Sequence, residues 1–292
     1  MADAAVIDNA VKESEGTPAT IPAAVEEPQN ELTKKFTEDE WKALGEFKTK
    51  IAEELKESSK TYTLWGINIS PDSPPDARKS VVLVKFLRAR NNDVGEALKM
   101  LTDTLKWREE FKVEEALKED YPADVFGNLG HIFGKDKLNH PVTYNLYGAN
   151  KDLKAVFGDV DRFIRWRVAL MEKGIAKMDF ETVDQMVQVH DYEGVGMSSR
   201  DANSKKAAAE ATAIFQNYYP EFLYKKFFVN VPSFLTWIFW FFKPFVSAQT
   251  LAKMSVVGSG AQTIGKDLLP VIDASQLPKR YGGQSDGWET KA

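Results

Sequence analysis

Three short runs of alternating residues constrain this chain more than anything else in it. In Val142–Tyr147, Val142, Tyr144 and Leu146 point one way and Thr143, Asn145 and Tyr147 the other. In Met186–Tyr192, Val187 and Val189 oppose Gln188, His190 and Tyr192, and in Lys226–Val231, Phe227, Val229 and Val231 oppose Lys226, Phe228 and Asn230. Residues two apart on a strand share a face. Lys253–Val257 reads as a fourth strand, and helix-patterned segments lie between or after the runs, at about 160–178, 204–217, 234–243, 247–252 and 261–269. Strands alternating with helices predict an α/β domain built on a mostly parallel sheet. Central parallel strands are ordinarily apolar on both faces. A sheet with one polar-aromatic face therefore predicts helices on one side and a ligand cavity on the other.

Ahead of this region the pattern is all helical. Thr37 followed by Glu38, Asp39 and Glu40 reads as an N-cap with a first turn of acids, opening a helix to about Ser58. Ser70–Asp76 is a loop, and helices follow at about 78–90 and 93–111, the second with Val94, Leu98, Leu101 and Leu105 at helical spacing. We expect an N-terminal helical domain over residues 36–120, a ligand-binding domain over 121–283 and a flexible C-terminus over 284–292. Residues 1–35 are expected to form a disordered acidic tail, because the first 32 carry seven acids, one base and no aromatic residue.

Removing that tail leaves 36 acids against 37 bases. The folded part lacks the positive excess of a nucleic-acid binder, so no nucleic-acid partner is expected. The absence of cysteine rules out disulfides and thiolate metal sites and suits a reducing, cytoplasmic setting. No apolar run reaches 18 residues and no secretory signal is visible at the start, so membrane contact is expected to be peripheral.

The stretch Tyr218–Lys253 concentrates aromatic side chains. A polar turn, Tyr219-Pro220-Glu221, precedes a strand-like run and then a helix-like segment, Phe234–Phe242, ended by Pro244. Val231–Phe242 is too short to span a bilayer, which takes roughly 20 residues. It reads either as a buried core helix or as an apolar gate over a lipid-sized cavity.

Two arginines fall on apolar stripes. Arg90 shares the stripe of Leu83, Phe86 and Leu87, and Arg167 that of Val160, Phe163, Ile164, Val168 and Met171. A buried guanidinium stays charged and needs a partner. Arg90 at a helix end could reach water or terminal carbonyls, and Arg167 could sit in an internal salt bridge. The alternative for either is the carboxylate or phosphate of a ligand. His190 and Tyr192 project together from one strand, as a hydrogen-bonded core pair or as part of a ligand set. There is no G-x-S-x-G elbow, Walker loop or H-E-x-x-H, and only three histidines, so no catalytic residues are expected and an enzyme is disfavoured.

Several motifs resemble the CRAL-TRIO, or Sec-fourteen-like, lipid-transfer family: Phe86-Leu-Arg-Ala-Arg90, Leu105-Lys-Trp107-Arg108, Tyr219-Pro-Glu221, Val229-Asn-Val-Pro232, Phe242-Lys-Pro-Phe245, Leu277-Pro278 and Tyr281-Gly-Gly283. They run in the family's order over about residues 80–283. The resemblance implies a helical N-terminal domain and a βα domain whose sheet floors a lipid cavity closed by a gating helix, here Phe234–Phe242. It also implies a phosphatidylinositol headgroup site at Arg90, Glu221, Thr250 and Lys253, with the arginine and lysine on the phosphate and the other two on hydroxyls or holding Lys253. An internal Glu–Lys–Arg bridge is the competing account of those residues.

The stretches Val189-His-Asp-Tyr-Glu-Gly194 and Arg165-Trp-Arg-Val-Ala-Leu-Met-Glu-Lys-Gly174 are similar to one branch, the fungal fifth Sec-fourteen homologues, whose members also bind haem b. By that resemblance Tyr192 would be the phenolate ligand of ferric iron, with His190, Tyr147, Arg167 and Lys226 lining the pocket. A tyrosine is a known haem ligand, and nearby cations would lower its pKa. Arg90 follows the pattern of the transfer proteins rather than one dedicated to haem. The implied function is phosphatidylinositol exchange between membranes with haem binding in addition, or a haem sensor or buffer with lipid transfer secondary. A peripheral association with endoplasmic reticulum or microsomal membranes and a lipid kinase partner belong to the same expectation.

Overall fold

The computed structural model of the chain describes residues 27–56, 60–196, 202–232 and 248–288. The Phe234–Phe242 segment, expected as a gating helix, lies outside them. Helix α1 (Glu38–Glu54) opens on Thr37 as expected, with a reciprocal capping box between Thr37 and Glu40. A two-residue hairpin turns at Trp65 and Gly66, both left-handed, between β1 (Thr63–Leu64) and β2 (Ile67–Asn68). Helices α2 (Ala77–Arg88) and α3 (Val94–Phe111) start on Asp76 and Asp93, whose carboxylates accept first-turn amides. Two single-turn helices, α4 (Val113–Ala116) and α5 (Ala123–Phe126), lead into the second half.

There the sheet order is β3 (Gly130–Lys135), β4 (Pro141–Leu146), β5 (Met186–Asp191), β6 (Leu223–Val229) and β7 (Met254–Val256). β3 pairs antiparallel with β4, and the other pairs are parallel. The connecting helices are α6 (Leu153–Phe157), α7 (Val160–Ile175), α8 (Ala202–Tyr218) and α9 (Ala248–Ala252), and α10 (Ala261–Leu268) follows β7. The mixed α/β fold with helices ahead of a mostly parallel sheet is the one the alternation predicts.

The two faces of the sheet separate as their side chains do. Val142, Tyr144, Leu146, Val187, Val189, Phe227 and Val229 form one apolar cluster with Ile264 and Leu268 of α10 and with Leu277 and Tyr281. The N-terminal helices share a second core with α7 and α8, which reaches Met186 on the sheet. Gly174 allows the close approach of α7, since a Cβ there would stand 3.2 Å from Thr143 and 3.3 Å from Met186. The Tyr281-Gly-Gly283 motif has an equally local reason: Gly282 has φ +92°, and a Cβ on Gly283 would lie 1.8 Å from the Leu277 carbonyl oxygen.

Four expectations are corrected. The second helix stops at Arg88, not residue 90, because Asn91 and Asn92 turn left-handed (φ 51° and 63°), so Arg90 lies beyond the helix rather than on its stripe. The strand expected at Lys226–Val231 runs Leu223–Val229, ended by left-handed Asn230, whose side chain donates to Asp191 at 2.8 Å. Residues 27–35 are not a loose tail: Asn30 donates to the Phe180 carbonyl at 2.9 Å, and Thr33 is fully buried. Residues 284–288 are not loose either, because Trp288 stacks on His131 at 4.3 Å and packs on Tyr144 at 4.7 Å.

Candidate functional site

The polar face of β4, β5 and β6 is assembled rung by rung. Thr143, Gln188 and Lys226 fall in one row, and Asn145, His190 and Phe228 in the next. Tyr147 and Tyr192 extend the face beyond the strand ends, with their rings 5.0 Å apart. Helix α7 covers this side and carries Arg167, which is 8% exposed and lies 4.8 Å over the Phe215 ring of α8. Of the expected pocket residues, Tyr147, His190 and Tyr192 meet directly. Arg167 and Lys226 join them electrostatically, Arg167 acting on Tyr147 and both cations acting on His190.

The protonation states follow from burial. Desolvation, then the charges of Lys226 and Arg167, hold His190 well below the usual imidazole value, so the ring is neutral. Burial pushes the Tyr147 phenol up, with Arg167 pulling against it. Tyr147 is therefore the donor in its 2.7 Å contact with His190 Nδ1, and Nε2–H is left to donate to Gln188 Oε1 at 3.3 Å. Lys226 keeps partial solvent contact, yet desolvation first and Arg167 second bring its ammonium down to about 7. Burial also pulls Arg167 down from its ordinary value.

Tyr192 departs from expectation. Burial, then the neighbouring Tyr147, push its phenol well above the ordinary value. The cations do not lower it as the sequence suggested, because Arg167 acts on Tyr147 instead.

What this face does not contain is counter-charge. Among the described residues no carboxylate lies within ion-pair reach of Arg167 or Lys226; the partners of these cations are the Phe215 and Phe228 rings. An internal salt bridge thus does not account for Arg167. Asn145, in mid-strand and 2% exposed, leaves both amide atoms without a hydrogen bond. The alternation had placed Asn145 on this face, but nothing in the sequence distinguished it from a satisfied core amide.

The second group lies at the Tyr219-Pro220-Glu221 turn. The Glu221 carboxylate accepts from Lys253 Nζ at 3.1 Å, with both side chains only partly exposed. Thr250, in α9, is one turn before Lys253 and its carbonyl accepts the Lys253 amide at 3.1 Å. Arg90 stands apart: its guanidinium donates to the Ala89 carbonyl at 2.9 Å, the helix-end alternative. No direct contact joins it to Glu221, Thr250 or Lys253 among the described residues. The two groups are nevertheless linked, because the Lys226 amide donates to the Lys253 carbonyl at 2.8 Å.

Sequence reasoning missed two buried networks around these groups. Asp191, 1% exposed, accepts from Asn230 and from Tyr281, each at 2.8 Å, and so fixes the backbone that carries Tyr192. Outside it is an open cleft of about 560 Å³ lined in part by Tyr192, Asn230, Gly260 and Arg280. Glu172 of α7 accepts from Arg108 of α3 and from the Tyr219 hydroxyl, the latter at 2.6 Å. Arg108 belongs to a motif quoted from the sequence, but only the fold brings it to Tyr219.

Comparison with known proteins gives concordant matches. Residues 126–283 match the family described as CRAL/TRIO domain, and residues 43–103 match CRAL/TRIO, N-terminal domain. A phosphatidylinositol transfer protein SFH5 of Cryptococcus neoformans is 36% identical over 90% of this chain and 93% of its own length. The sfh5 protein of Botryotinia fuckeliana is 36% identical over 82% of this chain, and Patellin-6 of Arabidopsis thaliana 37% identical over 84%. The matches span 56% and 59% of those two longer relatives. The crystal structure of Sfh5 superposes with a TM-score of 0.73 at 31% identity, covering 85% of this chain and 88% of that one.

Proposed function

The chain belongs to the CRAL/TRIO domain family, and from that membership we propose that it binds phosphatidylinositol in an internal cavity and exchanges it between membranes. The observation that carries this reading is the Glu221–Lys253 pair, held at 3.1 Å with Thr250 one turn away. An inositol phosphate can take the lysine by a charge-assisted hydrogen bond, while the oxygens of Glu221 and Thr250 can accept from ring hydroxyls. Arg90 would have to turn from the Ala89 carbonyl to join them. The acyl chains lie in the protein, where each CH2 kept from water is worth roughly 0.8 kcal/mol. No helix among the described residues is long and apolar enough to cross a membrane. The contact proposed is peripheral, at endoplasmic reticulum or microsomal membranes, with delivery to an acceptor bilayer or a lipid kinase. No bond is made or broken.

The test is transfer of labelled phosphatidylinositol between vesicles. Lys253→Ala and Glu221→Ala should each reduce transfer at least tenfold. Wild-type rates from both variants would remove the headgroup site.

A second reading, binding of haem b, is favoured by the unbalanced charge on the polar sheet face. Buried Arg167, the nearby Lys226 and the unpartnered Asn145 amide suit a guest with anionic groups, which fits the two carboxylates of a haem. Tyr192, with no hydroxyl partner among the described residues, offers an oxygen for the iron, and neutral His190 stands beside it. When bound, haem supplies a ferric centre that a tyrosine can hold. Tyr147 keeps the His190 ring oriented, and the Asp191 network keeps Tyr192 in place. Purified protein given ferric haem should develop a visible spectrum that Tyr192→Phe alters; an unchanged spectrum in that variant would remove Tyr192 as the ligand.

A further inference from the structure

The Tyr219-Pro220-Glu221 turn is held from outside the sheet domain. Lys85, in α2 of the N-terminal helical block, has a side chain only 1% exposed and is 99 residues from its nearest partner in sequence. Its ammonium makes three hydrogen bonds: to the Asp184 carboxylate at 2.7 Å, to the Asp184 carbonyl at 2.6 Å and to the Glu221 carbonyl at 3.0 Å. It also lies 4.5 Å over the ring of Phe222. Three acceptors match the three protons of an ammonium, so the group is saturated and its direction fixed.

Glu221 is the residue for which such a hold matters. Its φ is +54°, in the left-handed region that costs a non-glycine side chain roughly 1 kcal/mol or more. Outliers of this kind persist where the surroundings over-determine them. Here Lys85 and Gln185 both donate to the Glu221 carbonyl, the latter at 3.3 Å. The carboxylate of the same residue is the one paired with Lys253. On the other side of Pro220, Tyr219 is held by Glu172, itself paired with Arg108 of the N-terminal block.

We infer that Lys85 is a positioning residue for headgroup recognition: it fixes the backbone of Glu221 so that its carboxylate is presented to Lys253 and to the ring hydroxyls of an inositol headgroup. This rests on the headgroup reading above. Lys85 touches no lipid; it acts through Glu221. Its loss should therefore alter which headgroup is carried more than whether a two-chain lipid is carried.

The test uses the full chain and two vesicle assays, one with labelled phosphatidylinositol and one with labelled phosphatidylcholine, which shares the acyl chains but offers no ring hydroxyls. Lys85→Met should lower the ratio of phosphatidylinositol to phosphatidylcholine uptake at least fivefold. Lys85→Arg, which keeps a charge able to reach the carboxylate and a carbonyl, should restore most of it. If Lys85→Met does not fold, Asp184→Asn is read in the same two assays, since it weakens the ammonium's hold while leaving both carbonyls. A ratio equal to wild type, or equal loss of both lipids in a folded variant, overturns the positioning role. Failure of the underlying reading looks different: wild-type protein would then show no preference for phosphatidylinositol, or Lys253→Ala would not change it.

Discussion

The Tyr147 hydroxyl donates to Nδ1 of His190 across 2.7 Å, joining β5 to the residue that follows β4 at the C-terminal end of the polar sheet face. That bond requires an imidazole without a proton on Nδ1, and burial with two nearby cations supplies one.

Stability should accordingly fall on mild acidification. An unfolded imidazole takes up a proton near pH 6.5, whereas native His190 does so only well below that. The unfolded state then binds more protons, and stability is lost as pH drops below about 6.5, by up to about 1.4 kcal/mol per pH unit. Urea denaturation of wild type and His190→Gln at pH 7, 6 and 5 reads this. The variant should lose less stability across the range, and parallel losses would contradict the assignment.

Lys226 gives a second window with the same sign. Its ammonium titrates at about 7 in the native protein against 10.5 ordinarily, so between those values only the unfolded chain holds the proton. Stability rises as pH climbs through the window. Lys226→Met should exceed wild type at pH 7 by about 1–3 kcal/mol, allowing for the partial exposure of the lysine, with the gap closing towards pH 10. A destabilised variant at pH 7 would mean that the ammonium has a partner in solution.

The Arg108–Glu172–Tyr219 network predicts a steep asymmetry. Glu172→Gln leaves Arg108, 10% exposed, without its buried counter-charge and should cost about 3–5 kcal/mol. Tyr219→Phe removes one hydrogen bond to a carboxylate and should cost about 1.5–3 kcal/mol. Because the two share an acceptor, the double variant should cost less than their sum, as a double-mutant cycle by chemical denaturation would measure. Additive effects would show that the two contacts are independent.

Trp288 supplies a test at the chain's far end. It covers His131, Tyr144 and Tyr281, and Trp288→Ala should lower stability by about 2 kcal/mol, less than a fully buried tryptophan because the ring is part-exposed. A melting temperature within a degree of wild type would indicate that the Trp288 ring adds nothing.

The sheet was legible because alternation is a property of neighbours two apart: Gln188, His190 and Tyr192 had to share a face whatever covered it. The cap of α1 at Thr37 was equally local. What escaped was long-range. β3 pairs antiparallel through Gly130, His131 and Ile132, a run without the alternation of its neighbours. Nothing local marks Lys85, whose partners Asp184 and Glu221 lie 99 and 136 residues away in the chain. Arg90 was misplaced by two residues of helix end, which Asn91 and Asn92 decide through backbone conformation rather than hydropathy. The raised phenol of Tyr192 comes from burial and then from Tyr147 beside it, and spacing records neither how deeply a ring is buried nor which ring lies next to it.

The amide of Lys226 and the carbonyl of Lys253 are two ends of one hydrogen bond between β6 and the residue that leads into β7. Each lysine belongs to a different candidate site, one inside the sheet domain and one at the Tyr-Pro-Glu turn. A sideways shift of β6 would therefore carry the backbone of Lys253 with it, and a pull on Lys253 would be felt along β6.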